Sequence, residues 1–289
     1  MTISPLASPA ATRALLETYG LATKHRLGQN FLIDNHVIER IMALAALGAG
    51  DRVLEVGPGI GTLTLALLQD AAHVASIEMD AELEPVLRAH ELTHEGFAFI
   101  MGDALKVAPA QVAEALGGEP DMLVANLPYN VAATIILDFF QRYPSLRAAV
   151  VMVQKEVADR ISAVPGTKAY GGYTAKLALY GQVTGRFEVP PRCFMPAPHV
   201  DSAVVRIDRR PVAGEGALAL PAGVTRDDVA RVIDAAFAQR RKTIRNSMAA
   251  SGFDKAALDA AFGRTGIAAT SRGESLAPED FVRLAEALR

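Results

Sequence analysis

Apolar positions change their spacing along the chain, and those changes divide it into elements. From Val37 they recur at helical intervals (Val37, Ile38, Ile41, Met42, Ala45) and predict a helix over 37–49, with Asp34 or Asn35 placed as its N-cap. Short, nearly continuous apolar runs then alternate with helical patterns. Strands are predicted over 52–56, 74–78, 97–101, 122–125 and 149–153, and helices over 62–69, 81–92, 109–116 and 132–142. Strands that are apolar on both faces and separated by helices belong to a parallel sheet covered on both sides. The predicted fold is therefore doubly wound α/β. A helix near 155–163 follows, then strand-like segments over 182–189 and 202–208 joined by the Pro-rich stretch 190–199, which predict an antiparallel pair ending the sheet.

The two ends of the chain lack this alternation. Residues 1–20 are rich in Ala, Ser, Thr and Pro and read as a loose N-terminal arm. The main domain is expected over 21–210, a Gly-, Ala- and Pro-rich linker over 211–225, and a small all-helical domain over 226–289. Neither an internal repeat nor a low-complexity tract interrupts the pattern.

Composition agrees with a globular chain, with 51% hydrophobic and 21% charged residues among 289. No apolar run reaches the roughly eighteen residues needed to cross a bilayer, and Met1 to Arg13 lacks a basic end followed by an apolar stretch. A cytoplasmic protein without membrane contact is expected. The single cysteine, Cys193, has no intramolecular disulfide partner. The net charge of −3 conceals an asymmetry: 13 basic against 19 acidic residues up to position 180, but 16 against 13 beyond it. A polyanion would meet its basic clusters mainly in the C-terminal third.

The candidate chemistry sits where strands end. Leu54-Glu55-Val56-Gly57-Pro58-Gly59-Ile60-Gly61-Thr62 is a glycine turn between the first strand of the alternation and a helix, where a ligand can approach bare backbone. A dinucleotide fingerprint wants its third glycine at position 62, but that glycine is Gly61, which argues against a pyrophosphate. Glu78 ends the next strand and can accept from ribose hydroxyls; Asp103, after the third, can accept from an adenine amino group. Gly57, Gly59, Gly61, Glu78 and Asp103 thus describe a nucleoside site without phosphates, and S-adenosylmethionine is the natural candidate.

After the fourth strand comes Asn126-Leu127-Pro128-Tyr129. The exocyclic amine of adenine is a weak nucleophile because its lone pair is delocalised into the ring. Two acceptors on its hydrogens, the Asn126 side-chain oxygen and the Pro128 carbonyl, would favour a pyramidal nitrogen and aim its lone pair. Tyr129 would stack on an extruded base.

Five ordered motifs carry a resemblance: His25-Arg26-Leu27-Gly28-Gln29-Asn30-Phe31-Leu32, the glycine turn from Glu55 to Gly61, the Asn-Leu-Pro-Tyr segment, Phe194-Met195-Pro196-Ala197-Pro198-His199-Val200-Asp201-Ser202, and Arg240-Arg241-Lys242-Thr243-Ile244-Arg245-Asn246. In these the chain, from about Lys24 to its end, resembles the KsgA/RsmA family of ribosomal RNA small-subunit adenine N6,N6-dimethyltransferases. The resemblance implies a Rossmann-like class I methyltransferase fold, S-adenosylmethionine as cofactor with S-adenosylhomocysteine as product, and Gln29, Asn30, Leu32 and Asn126 as further cofactor residues. It also implies that Phe194 closes the other face of the base. The implied substrate is two adjacent adenosines near the 3′ end of 16S ribosomal RNA in an immature small subunit, met by a monomeric enzyme. One segment departs from the family: after Tyr170-Gly171-Gly172, where Leu-Ser-Val and an aromatic-rich helix would be expected, the chain has Tyr173-Thr174-Ala175-Lys176-Leu177-Ala178-Leu179.

Direct displacement needs neither a metal nor a dedicated general base, since the attacked nitrogen becomes strongly acidic once alkylated. Lys155, Arg160, Arg206, Arg240, Arg241, Lys242 and Arg245, with Arg186, Arg192, Arg209 and Arg210 beside them, are candidates for phosphate contacts. His90-Glu91-Leu92-Thr93-His94 matches a zinc-protease pattern, but it ends a helix with no third ligand in reach of the sequence and is set aside. Two other substrates remain as alternatives: a 23S ribosomal RNA adenine of the antibiotic-resistance type, or DNA, which is less expected because DNA enzymes of this kind favour a Pro-Pro tetrapeptide. A role chiefly as a small-subunit assembly checkpoint is the alternative from another class.

Overall fold

The structure is a computed structural model that describes residues 3–22, 29–211, 213–214 and 216–289. The motif residues His25, Arg26, Leu27 and Gly28 lie outside the described residues. The chain divides into two compact units, one formed by Met1–Ala158 with Val183–Arg209 and one by Asp159–Gln182 with Arg210–Arg289.

The first unit is built on a seven-stranded sheet. Its strands are β2 (Arg52–Val56), β3 (His73–Glu78), β4 (Phe97–Met101), β5 (Met122–Asn126), β6 (Ala148–Gln154), β7 (Gly181–Val189) and β9 (Ser202–Arg209), in the spatial order β4-β3-β2-β5-β6-β9-β7. The first five are parallel, and β9 lies antiparallel on β6 with Val151 opposite Val205. Helices α2 (Asn35–Ala45), α3 (Thr62–Asp70), α4 (Glu84–Thr93), α5 (Pro109–Leu116) and α6 (Ala132–Arg142) supply the crossovers and flanks. Strand order reverses between β2 and β5, so the carboxyl ends on either side of that switch open a crevice. The central strands are buried almost throughout, which explains why they read as apolar runs without alternation.

Two features escaped the periodicity. Residues 9–18 form helix α1 (Pro9–Thr18), with the Ser8 hydroxyl accepting from Ala11 N–H and Pro9 in the first turn. The expected loose arm is therefore packed: Leu6 and Leu16 are buried with Phe31, Ile60, Leu65, Leu83 and Val86. The second is a two-residue ladder in which β1 (Phe31–Leu32) runs antiparallel to β8 (Phe194–Met195), pairing Leu32 with Phe194. Strands this short carry no period to read.

The second unit consists of α8 (Gly172–Leu177), α9 (Arg226–Phe237), α10 (Ile244–Ala250), α11 (Lys255–Thr265) and α12 (Pro278–Ala287), and α7 (Lys155–Ile161) runs into it from the first unit. Its core gathers Tyr170, Ala175 and Leu179 with Val229, Ile233, Met248, Leu258 and Phe281. The expected main domain over 21–210 is corrected at residues 159–182, which belong to the second unit and bury apolar side chains among its helices. The divergent Tyr173–Leu179 stretch thereby serves that core, and the expected linker contributes Leu218 and Val224 to it. Arg210 fastens this unit internally, donating to the carbonyls of Ala178 and Gly216.

Candidate active site

The carboxyl ends of β2, β3, β4 and β5 border a cavity of about 430 Å³. Its lining includes Gln29, Asn30, Leu32, Gly57, Gly59, Glu78, Asp103, Asn126, Pro128 and Tyr129, so the first unit brings nearly the whole expected site into one place. Gly57 and Gly59 have φ of +70° and +60°, and a Cβ on them would lie 3.4 Å from the Pro128 ring and 3.0 Å from the Phe31 ring. The turn is bare backbone because a side chain lacks the conformation at both positions and, at Gly59, the room as well. Phe31, which the motif contained but no role singled out, is the wall that closes the Gly59 side.

The polar groups can be counted. Glu78 is buried; its Oε1 accepts from the N–H groups of Met79 and Asp80, both at 2.8 Å, and its Oε2 from Gly59 N–H at 3.2 Å. With about four acceptor positions on a carboxylate, Oε2 keeps capacity and Oε1 is filled. Burial, the largest influence, raises the Glu78 pKa against these three donors. Asp103 accepts from Leu105 N–H at 3.0 Å and faces Lys106 at 3.3 Å. Asn126 donates from Nδ2 to the Asn30 carbonyl at 3.3 Å, which leaves Oδ1 as its acceptor. The Pro128 carbonyl accepts from Val131 N–H at 3.2 Å and so has one of its two lone pairs left.

Behind the turn, Glu55 is fully buried and accepts from the Thr64 and Ser76 hydroxyls at 2.6 and 2.7 Å. Loss of hydration pushes its carboxyl up to about 7 in spite of these donors, and the Glu78 charge adds to the rise. No lysine, arginine or histidine lines the cavity among the described residues, whereas Glu55, Glu78 and Asp103 do. Such a lining is hostile to phosphates and suits a cationic nucleoside, which is the chemistry of a sulfonium cofactor.

Two expected residues stand elsewhere. Gly61 does not line the cavity; at φ +86° it makes room for His90, whose ring lies 2.8 Å from where a Cβ would be. His90 Nε2 lies 3.0 Å from the Ile60 carbonyl, and burial holds the imidazole below its usual pKa, so the neutral ring donates to that carbonyl. The histidine of the zinc-like pattern therefore braces the glycine turn. Phe194 is buried in the main core with Val37, Ile38 and Cys193, and its ring is not part of the cavity wall.

The basic candidates also separate. In the first unit, Arg206 donates to the Leu44 and Ala45 carbonyls and to Asp208, closing the C-terminal turn of α2, and Lys155 is paired with Glu188. Arg209 likewise serves the Phe140, Tyr143 and Leu146 carbonyls. In the second unit, Arg245 is held by both oxygens of Asp259 at 2.5 and 2.6 Å, and Arg160 is exposed. Arg240, Arg241 and Lys242 are exposed on the turn between α9 and α10, with Arg240 reaching the Lys168 carbonyl at 3.5 Å. Sequence could not sort these, because a carbonyl or carboxylate supplied from far along the chain leaves no local mark.

A family model described as Ribosomal RNA adenine dimethylase matches residues 20–289. The chain belongs to this ribosomal RNA adenine dimethylase family. It is 43% identical over 296 residues to the Ribosomal RNA small subunit methyltransferase A of Cutibacterium acnes, an alignment covering 100% of this chain and 96% of the relative. Among solved structures, the 23S rRNA methyltransferase ErmE is 27% identical with a TM-score of 0.67, covering 90% of this chain and 99% of that one. A dimethyladenosine transferase from Plasmodium falciparum superposes with a TM-score of 0.73 at 24% identity over 88% of this chain and 95% of that one, a likeness in fold.

Proposed function

We propose that this chain transfers methyl groups from S-adenosylmethionine to N6 of two adjacent adenosines near the 3′ end of 16S ribosomal RNA, giving N6,N6-dimethyladenosine in an immature small subunit. The observation that carries the reading is the cavity itself: acid-lined, without a basic side chain among the described residues, and bordered by both the glycine turn and Asn126–Tyr129. When bound, S-adenosylmethionine supplies an electrophilic methyl group on sulfur.

The protein residues do the rest. Glu78 accepts a ribose hydroxyl at Oε2, the one oxygen with capacity left, and Asp103 accepts from the adenine amine. Asn126 Oδ1 and the remaining lone pair of the Pro128 carbonyl accept the two N6 hydrogens of the target base. This arrangement turns the amine lone pair out of the ring plane. Tyr129 offers its ring for stacking, and Arg240, Arg241 and Lys242 take backbone phosphates. Catalysis then rests on positioning, as expected where no covalent enzyme intermediate is needed.

The small subunit is preferred to the large one because the full-length relative named for it is 43% identical, against 27% for the 23S enzyme. The test is incubation with labelled cofactor and three substrates, namely unmethylated small subunits, large-subunit RNA and duplex DNA, with nucleosides identified by mass spectrometry. Dimethyladenosine in the small-subunit RNA alone is expected, and label confined to large-subunit RNA would reverse the preference. Asn126→Ala should lose most turnover, a far larger effect than any weakening of cofactor binding; an unchanged rate would remove Asn126 from the chemistry.

A further inference from the structure

Tyr129 is fastened at the end remote from its backbone. Tyr129 lines the cavity, and its hydroxyl lies 2.7 Å from the Oγ of Ser202. Ser202 is completely buried, opens strand β9, and sits opposite Gln154 in the β6–β9 ladder. The two residues are 73 positions apart, so the contact is a product of the fold. Tyr129 itself stands on the short connection between β5 and α6, outside the sheet. Without the contact, its ring orientation would depend on a loop; with it, the far end of the ring is pinned to a strand flanked on both sides by others.

We propose that Ser202 is a positioning residue for base recognition: its hydroxyl fixes the plane of the Tyr129 ring, so that the target adenine meets a preset stacking face. The proposal rests on the functional reading given above. A tyrosine side chain has two torsions free to wander, and stacking demands one combination of them. A hydrogen bond at the para position restricts both, so orientation is settled before RNA arrives instead of being lost as entropy when the base docks. Burial raises the Tyr129 pKa, which keeps the phenol protonated and able to share a hydrogen with Ser202 at any working pH. Because neither partner needs the cofactor to make this contact, its loss should fall on the RNA reaction and spare cofactor affinity.

The test compares Ser202→Ala, Tyr129→Phe and the double variant. Tyr129→Phe removes the other half of the same bond without touching the buried strand position, so it guards against poor folding of Ser202→Ala. Single-turnover methylation of unmethylated small subunits should slow by roughly three- to tenfold in each single variant, the loss of one hydrogen bond, and no further in the double. The Kd of S-adenosylhomocysteine by calorimetry should stay within about twofold. With ¹³C-labelled tyrosine, the Tyr129 ring carbons of the RNA-free protein should lose order in Ser202→Ala. Losses that multiply in the double variant, an unaltered rate in either single one, or unchanged ring order would each overturn the proposal. A wild-type protein unable to methylate the subunit would instead overturn the functional reading, and the ring-order measurement, made without RNA, still decides the tether.

Discussion

Substituting Gly61 by alanine should damage the glycine turn although Gly61 does not line the cavity. Two penalties can be read from the structure. At φ +86° and ψ +18° the residue is in the left-handed region, where a Cβ costs roughly 1–2 kcal/mol. That Cβ would also stand 2.8 Å from Cδ2 and Nε2 of His90, an overlap that forces the ring or the turn to shift. Overpacking of this kind costs about 1–3 kcal/mol. The sum, about 2–5 kcal/mol, should appear in denaturant unfolding as a lower midpoint with an unchanged m-value. His90→Ala alone should cost about 1 kcal/mol through its bond to the Ile60 carbonyl, plus a packing contribution. The decisive measurement is the double variant: with the ring gone, the steric share of the Gly61→Ala penalty disappears while the backbone share stays. The double should therefore be more stable than the sum of the singles predicts by about 1–3 kcal/mol. Additive losses, or a Gly61→Ala protein within about 0.5 kcal/mol of wild type, would refute the reasoning. Calorimetry on the same variants should show weaker cofactor binding in Gly61→Ala, since the displaced turn also carries Gly59.

Two further perturbations address charge. Glu55 is raised in the folded protein to about 7 from an ordinary 4.5, so the folded state holds a proton that the unfolded chain has released between those values. Its contribution to stability must accordingly fall as pH rises from about 4.5 to 7 and level off above, by at most about 3 kcal/mol. Glu55→Gln, which mimics the protonated acid, should flatten that part of the stability–pH curve, and an identical slope in both proteins would show that Glu55 is ionised throughout. Neutralising Arg240, Arg241 and Lys242 together should weaken RNA binding and reduce the slope of log K against log salt by up to about 2–3, whereas an unaltered slope would remove the cluster from the interface.

The sequence by itself determined the strand and helix alternation, the glycine turn and the acids at strand ends. Each depends on a few adjacent residues: burial on both faces gives the apolar runs of β2, β3, β5 and β6, and backbone conformation demands Gly57 and Gly59. Helix α1 was not legible: its Ala- and Thr-rich sequence reads as a loose arm, and only packing shows that Leu6 before it and Leu16 within it are buried. What remained was decided by partners distant along the chain. Whether a basic residue is free for RNA depends on a carbonyl or carboxylate brought from elsewhere, as Leu44 is to Arg206 and Asp259 to Arg245. Gly61 resembles its neighbours in sequence, and only the arrival of His90 from α4 separates a packing glycine from a ligand-facing one. Phe194 keeps its place in the motif, yet pairing with Leu32 puts its ring in the core. Local chemistry is written in neighbouring residues; satisfaction of buried polar groups and exclusion of volume are properties of the packed chain.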